Sequence, residues 1–381
     1  MGWERTKALT TELPSPPSLI RWLLAGVLLA IIGALLFILH ASGTVKALSA
    51  INIWWVSLTP VGGGLLVFCL RCYLWDRKVK EHQFLHKEAE YGQRQWEAWS
   101  ERYLAVVGNT VLLPDGFTAM FINHPWPQQY DLPRRIDYLP SDTSVIPILL
   151  GTVEDKLRSL PTELPLHVSL VTDMPSSVFA ENIVEAWTQC LPDLVIPAEI
   201  CVMDSLDVSI VETRLKHADL RVDLILIMQL NGGASYSDGL AALLLTSDDV
   251  AQKYALPHSS RLLRPMSLDM ARFDDELTLF LQIQTVARHT SWVLGDTKNW
   301  NDFAPSLMTI GNACGAGWKS DETALLEKWC GVPGPSAPWL LTAFAADLIS
   351  IRKQSLLTLF STEQGHFIST MIPGSKDDYT R

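Results

Sequence analysis

Positive charge is scarce over most of this 381-residue chain. Residues 76–381 hold 25 Lys or Arg against 39 Asp or Glu. Phosphate backbones are gripped by concentrated positive charge, so this imbalance argues against a nucleic-acid partner. Cysteine is also sparse: Cys69, Cys72, Cys190, Cys201, Cys314 and Cys330, without a regular spacing. A disulfide framework belongs to small secreted domains, so these six are read as reduced thiols. Cys69 and Cys72 make a lone C-x-x-C with no second pair, which does not amount to a zinc or redox site. G-x-S-x-G, H-E-x-x-H and the P-loop are all missing. Nothing in the sequence implies a cofactor or a metal.

Charge is missing altogether from Trp22 to Leu39, eighteen residues that are nearly all aliphatic. At about 1.5 Å per residue this run covers about 27 Å, close to the hydrocarbon thickness of a bilayer. A second uncharged run extends from Ile51 to Leu70. It contains Pro60 and Gly62-Gly63-Gly64, residues tolerated in membrane helices whose neighbours satisfy the backbone. The pair is read as a transmembrane hairpin over residues 1–75. Two alternatives are a signal peptide cut near Ala41-Ser42-Gly43 and a helical hairpin buried in a globular core. Arg5, Lys7 and Arg21 precede the first run, only Lys46 lies in the connection, and Arg71, Arg77, Lys78, Lys80 and Lys87 follow the second. The positive-inside rule then places both ends in the cytoplasm, in a two-pass inner-membrane protein.

Residues 76–107 read as an amphipathic stalk helix. Trp96, Trp99, Tyr103 and Val106/Val107 recur at three-to-four residue spacing and form one apolar face. That face either packs on the domain below or binds a partner. Residues 108–150 form a Pro-rich connecting segment, in which Pro114, Pro125, Pro127, Pro133, Pro140 and Pro147 exclude long helices. Thr110–Leu113 and Thr118–Ile122 are short strand candidates. His124 beside Trp126 is either a ligand-reading pair or a loop anchor.

From 151 to 381 strands and helices alternate, which predicts an α/β domain with a mixed sheet. Strands are expected at Val168–Val171, Ala198–Met203, Leu224–Met228 and Leu240–Leu245, with a final pair at Leu356–Phe360 and Phe367–Ile372. Helices are expected at Val178–Cys190, opened by Ser176/Ser177, and at Val208–His217, Met266–Arg288 and Trp339–Ile351, with Ser247-Asp248-Asp249 capping a short one. Asp274-Asp275-Glu276 reads as a solvated helix face. Asn231-Gly232-Gly233 reads as a tight turn rather than a phosphate loop. The most tempting chemistry is Cys314 in Gly311-Asn312-Ala313-Cys314-Gly315-Ala316-Gly317. A nucleophilic role needs His289 or His366 within hydrogen-bonding reach.

Two resemblances follow. The succession Leu224–Met228, Leu240–Leu245 and Ser247-Asp248-Asp249, with Trp339–Ala346 as a late core helix, resembles the centre of a thiolase or β-ketoacyl synthase fold. The cysteine that such enzymes place at the head of the central helix, and their His-Gly-Thr-Gly motif, are lacking, so this resemblance implies a degenerate, non-catalytic body. Over the whole chain, the N-terminal hairpin, Gln95-Trp96-Glu97-Ala98-Trp99-Ser100-Glu101-Arg102-Tyr103 and Val111-Leu112-Leu113-Pro114 resemble the lipase-adaptor proteins of bacterial type VI secretion. That family implies a membrane-anchored, non-enzymatic adaptor that binds a lipase-type toxin or a spike component, with Trp96, Trp99, Tyr103, His124 and Trp126 as candidate partner-binding residues. The alternatives are a thiolase-class enzyme using Cys314 and a membrane-bound immunity protein against a toxin.

Overall fold

The computed structural model describes all residues except Met1, 5–7, 45–50, 125, 140–144, 176–178, 198, 218, 320–322 and 375–381. Arg5, Lys7, Lys46, Pro125, Pro140, Ser176/Ser177, Val178 and Ala198, which carry parts of the expectations above, lie outside the described residues. The chain divides into two compact units: residues 6–95, and residues 1–5 together with 96–381.

The first unit holds two helices long and apolar enough to cross a membrane. Helix α1 is Leu19–Ala41 and helix α2 is Ile53–Ser100; the apolar first part of α2 lies in this unit and its residues from Trp96 belong to the second. Asn52 opens α2, its side-chain oxygen accepting from the Trp54 amide at 3.0 Å. Small residues set the approach of the pair. A Cβ on Gly33 would overlap the Ser57 carbonyl, and one on Gly64 would overlap Leu29. Pro60 sits inside α2 without ending it.

The second unit is a mixed α/β body, as expected. In chain order it comprises β1 (Tyr103–Leu112), α3 (Val145–Arg158), β2 (Leu166–Thr172), α4 (Phe179–Cys190), β3 (Glu199–Met203), α5 (Ile210–Lys216), β4 (Val222–Gln229), β5 (Gly239–Ser247) and α6 (Asp248–Lys253). It continues with β6 (Ser260–Leu263), β7 (Met266–Leu268), α7 (Phe273–Ile283), β8 (Trp292–Gly295), α8 (Ala304–Ala313), β9 (Thr323–Leu325), α9 (Glu327–Cys330), α10 (Ala337–Arg352), β10 (Leu356–Thr362) and β11 (Gly365–Pro373).

Among the described residues, all eleven strands join one sheet in the order β3-β2-β4-β5-β1-β6-β11-β10-β8-β9, with β7 beside β11. The same path occurs twice. In the first half, parallel β3, β2 and β4 are followed by antiparallel β5 and then β1. In the second, parallel β9, β8 and β10 are followed by antiparallel β11 and then β6. The halves meet where β1 pairs antiparallel with β6.

Strand burial explains the apolar runs. In β4, Leu224 and Leu226 pack with α3 and α4, while Ile225 and Ile227 face the opposite cluster built on α10. A strand covered on both faces needs no polar alternation. Helix α10 is buried at twelve of its sixteen positions, as a helix enclosed on all sides must be. Its counterpart between the third and fourth strands of the first half is α5, only seven residues long.

Several expectations change. The helix read over 76–107 ends at Ser100, and Tyr103 opens β1, so Tyr103, Val106 and Val107 belong to a strand. Thr118–Ile122 is not a strand; Ala119–Phe121 forms a 3-10 turn. Pro147 lies in the first turn of α3, where its missing N–H costs nothing. The helix expected over Met266–Arg288 is β7, then α7, then a 3-10 turn at Thr285–His289. Asp269 ends β7 and accepts from the Ala271 amide at 3.1 Å, which starts the next turn. Within α7, Asp274 and Asp275 are solvated but Glu276 is buried.

Candidate partner-binding surface

Residues 113–139 connect β1 to α3 as an extended strap. Leu113, just past β1, Gln229, at the end of β4, and Asp296, just past β8, line a small cavity. Its backbone is fixed at three places. Gln129 N–H donates to Lys328 O at 2.8 Å, Val332 N–H donates to Leu132 O at 3.3 Å, and Asp238 N–H donates to Arg134 O at 2.8 Å. Side chains add to these. Arg134 pairs with Asp115 at 2.7 Å, Arg135 pairs with Asp238, and Tyr138 Oη donates to Leu113 O at 3.1 Å.

An aromatic ladder anchors the strap. Phe117 is fully buried and lies parallel to Trp329 at 5.1 Å and to Phe344 of α10 at 5.7 Å. Trp126 meets Phe117 edge-on at 5.3 Å, Phe121 lies 5.4 Å from Trp126, and His124 lies 6.0 Å from Phe121. The ladder therefore runs from the core to the surface, where Phe121 is 40% exposed beside Met120, 70% exposed. Leu132 and Tyr138 are exposed as well. Nine large hydrophobic residues of the body are exposed among the described residues, and four belong to this strap.

The carboxyl ends of the central strands border a cavity of only about 20 Å³, room for about one water. Strand ends of this kind are where open α/β sheets usually hold ligands. Here the polar groups are used internally. Asp296 is fully buried, and burial pushes its carboxyl up to about 6 against hydrogen bonds from Ser361 N–H at 2.5 Å and Trp300 Nε1 at 2.9 Å. Glu327 accepts from Lys298 N–H at 2.6 Å. Gln229 bridges Ser237 O and Ser336 N–H at 2.8 and 2.9 Å. Burial pushes the Cys330 thiol far above its ordinary range.

The other candidates are placed as follows. Trp99 and Trp96 pack edge-on at 5.2 Å, and the Arg264 guanidinium covers the Trp99 ring at 4.1 Å. Tyr103 is buried under Arg261. The structure thus separates Trp96, Trp99 and Tyr103, which are engaged within the body, from His124 and Trp126, which stand in the ladder. Sequence reading missed Phe117, Phe121 and Trp329. The signal for the first two was available, since two phenylalanines four residues apart lead into His124 and Trp126.

Cys314 caps the C-terminal end of α8. Among the described residues no hydrogen bond joins it to His289 or His366. His366 stands edge-on to Trp300 at 5.4 Å, and burial lowers its pKa. Asn231-Gly232-Gly233 is a tight turn. Asp173 accepts from the Leu230 and Asn231 amides at 3.0 and 2.8 Å, and Gly233 has φ +53°. Among the described residues no cluster of His, Cys, Asp and Glu could hold a metal.

No family model and no curated relative matches the chain. Solved structures align over its greater part. The 3-oxoacyl-[acyl-carrier-protein] synthase III of Aquifex aeolicus aligns at TM-score 0.43 and 12% identity, covering 71% of this chain and all of the enzyme. OleA of Xanthomonas campestri, bound to cerulenin, gives 0.45 and 8%, covering 72% and 99%. The ketosynthase from module 1 of the bacillaene synthase of Bacillus amyloliquefaciens gives 0.47 and 10%, covering 73% and 77%. At such values no residue role passes to this chain.

Proposed function

We propose that this protein is a membrane-anchored, non-catalytic adaptor that binds a second protein through the face of the strap. In the setting implied by the sequence resemblance, the bound protein is a lipase-type toxin or a spike component of type VI secretion. The observation that carries this reading is the aromatic ladder. It roots exposed Phe121 and Met120 in the core through Phe117 and Phe344, so a hydrophobic contact surface is held rigid at little entropic cost. The crevice at the strand ends, about 20 Å³, has no room for an acyl substrate at that place, which supports a binding role there. Helices α1 and α2 anchor the chain in the inner membrane, with both ends in the cytoplasm.

Purification of the tagged full chain from membranes of a cell that runs type VI secretion tests this reading. A lipase-type toxin or spike component is expected to co-purify. Recovery of the chain free of any secretion component contradicts the reading.

A further inference from the structure

Residues 2–4 precede both apolar helices in sequence, yet they belong to the same compact unit as residues 96–381. Trp3 packs edge-on to Trp99 at 5.2 Å and lies 5.6 Å from Phe280 of α7, joining the hydrophobic cluster of the second half. The receiving surface is held firmly. Arg264, 1% exposed, lies over the face of Trp99, donates to its carbonyl at 2.9 Å and pairs with Glu212 at 2.7 Å. Gly2 lies flush against Glu276, and a Cβ there would overlap the carboxylate. The Glu276 side chain is 8% exposed. Its Oε1 accepts from Arg272 at 3.4 Å, while its buried Oε2 has no partner among the described residues. The close approach of Gly2 is possible only because glycine carries no side chain.

We infer that residues 2–4 are a clasp: Trp3 fills the slot between Trp99 and Phe280, with Gly2 seated against Glu276. Given the reading of α1 and α2 as membrane spans, the clasp adds an independent constraint. Trp3 and Phe280 lie on opposite sides of both spans in sequence, and they can touch only when the spans cross the membrane an even number of times. The clasp thus fixes both ends of the hairpin on one side without reference to flanking charge.

The test uses the full chain in native membranes with p-benzoylphenylalanine at position 3. Irradiation should give an intrachain cross-link to the peptide carrying Trp99 or to the one carrying Phe280, read by mass spectrometry. Adding Gly2→Val should abolish that cross-link while the amount of chain in the membrane stays constant. Cross-links only to lipid or to other proteins, or an intrachain yield unchanged by Gly2→Val, overturn the clasp. Neither result bears on partner capture, so failure of the clasp and failure of the adaptor reading remain distinguishable.

Discussion

Gly331 is the position on which the strap depends most sharply. Its backbone has φ +78° and ψ −167°, a region essentially closed to side chains, and a Cβ there would overlap the Leu132 carbonyl. Gly331→Ala therefore costs about 1–3 kcal/mol in backbone strain. The strap must also retreat. That breaks the Val332–Leu132 contact and weakens the bond from Arg134 N–H to Ser237 Oγ at 3.0 Å, since the Cβ would lie 2.7 Å from that hydroxyl. Two hydrogen bonds add about 2 kcal/mol, for a total of roughly 3–5 kcal/mol. Because the strap is a surface segment, most of this should appear as local opening. Even 3 kcal/mol corresponds to roughly a hundredfold faster amide exchange. Hydrogen exchange on the full chain in detergent should show this acceleration at Gln129, Val332 and Asp238, with β4 unaffected. Gly317→Ala is the control, because its Cβ would meet open space. Strap exchange equal to that of the unmodified chain would refute the assignment of the strap as a fixed part of the fold.

Other outcomes follow from the same structure. Burial raises the Asp347 carboxyl to about 6 from an ordinary 3.8, despite the Asn109 amide that donates to it at 2.5 Å. The proton is held more tightly in the fold, so stability falls as pH rises from about 4 to 6, and the penalty is complete above that range, at about 3 kcal/mol. Asp347→Asn should flatten that slope and raise the denaturation midpoint of the chain at pH 8; a midpoint that still falls between pH 4 and 8 as steeply as before would contradict it. A thiol-directed acylating probe should label Cys314 no faster than Cys190; selective labelling of Cys314 would revive the enzyme reading. A cysteine at Thr44 should react with a membrane-impermeant maleimide in intact spheroplasts, and one at Gln93 should not; the reverse pattern would invert the topology.

What the sequence revealed was decided locally. The two apolar runs are as long as a bilayer is thick, Leu224–Met228 is apolar because both of its faces are covered, and Ser247 accepts from Val250 N–H as its cap position requires. What it concealed depends on distant partners. Trp96, Trp99, Tyr103 and Val106/Val107 fit a helical period, but Tyr103–Val106 pair with Ser260–Leu263, and that pairing makes them a strand. Glu276 looked solvated because nothing near it in sequence announces Gly2. The strap is irregular backbone held by Lys328, Val332 and Asp238, some hundred or more residues away, and no periodicity could report it. The doubled strand path likewise leaves no repeat in the sequence, since it preserves only the order and direction of strands.

The most direct test of the adaptor account compares Phe121→Asp with Val195→Asp in the full chain purified from membranes. Both positions are exposed, at 40% and 91%, but only Phe121 belongs to the ladder. Losing a buried aromatic anchor at an interface costs at least about 2 kcal/mol, roughly thirtyfold in affinity. Phe121→Asp is expected to lose the co-purifying toxin or spike component while Val195→Asp retains it. Equal recovery with both variants would contradict the claim that the strap carries the partner.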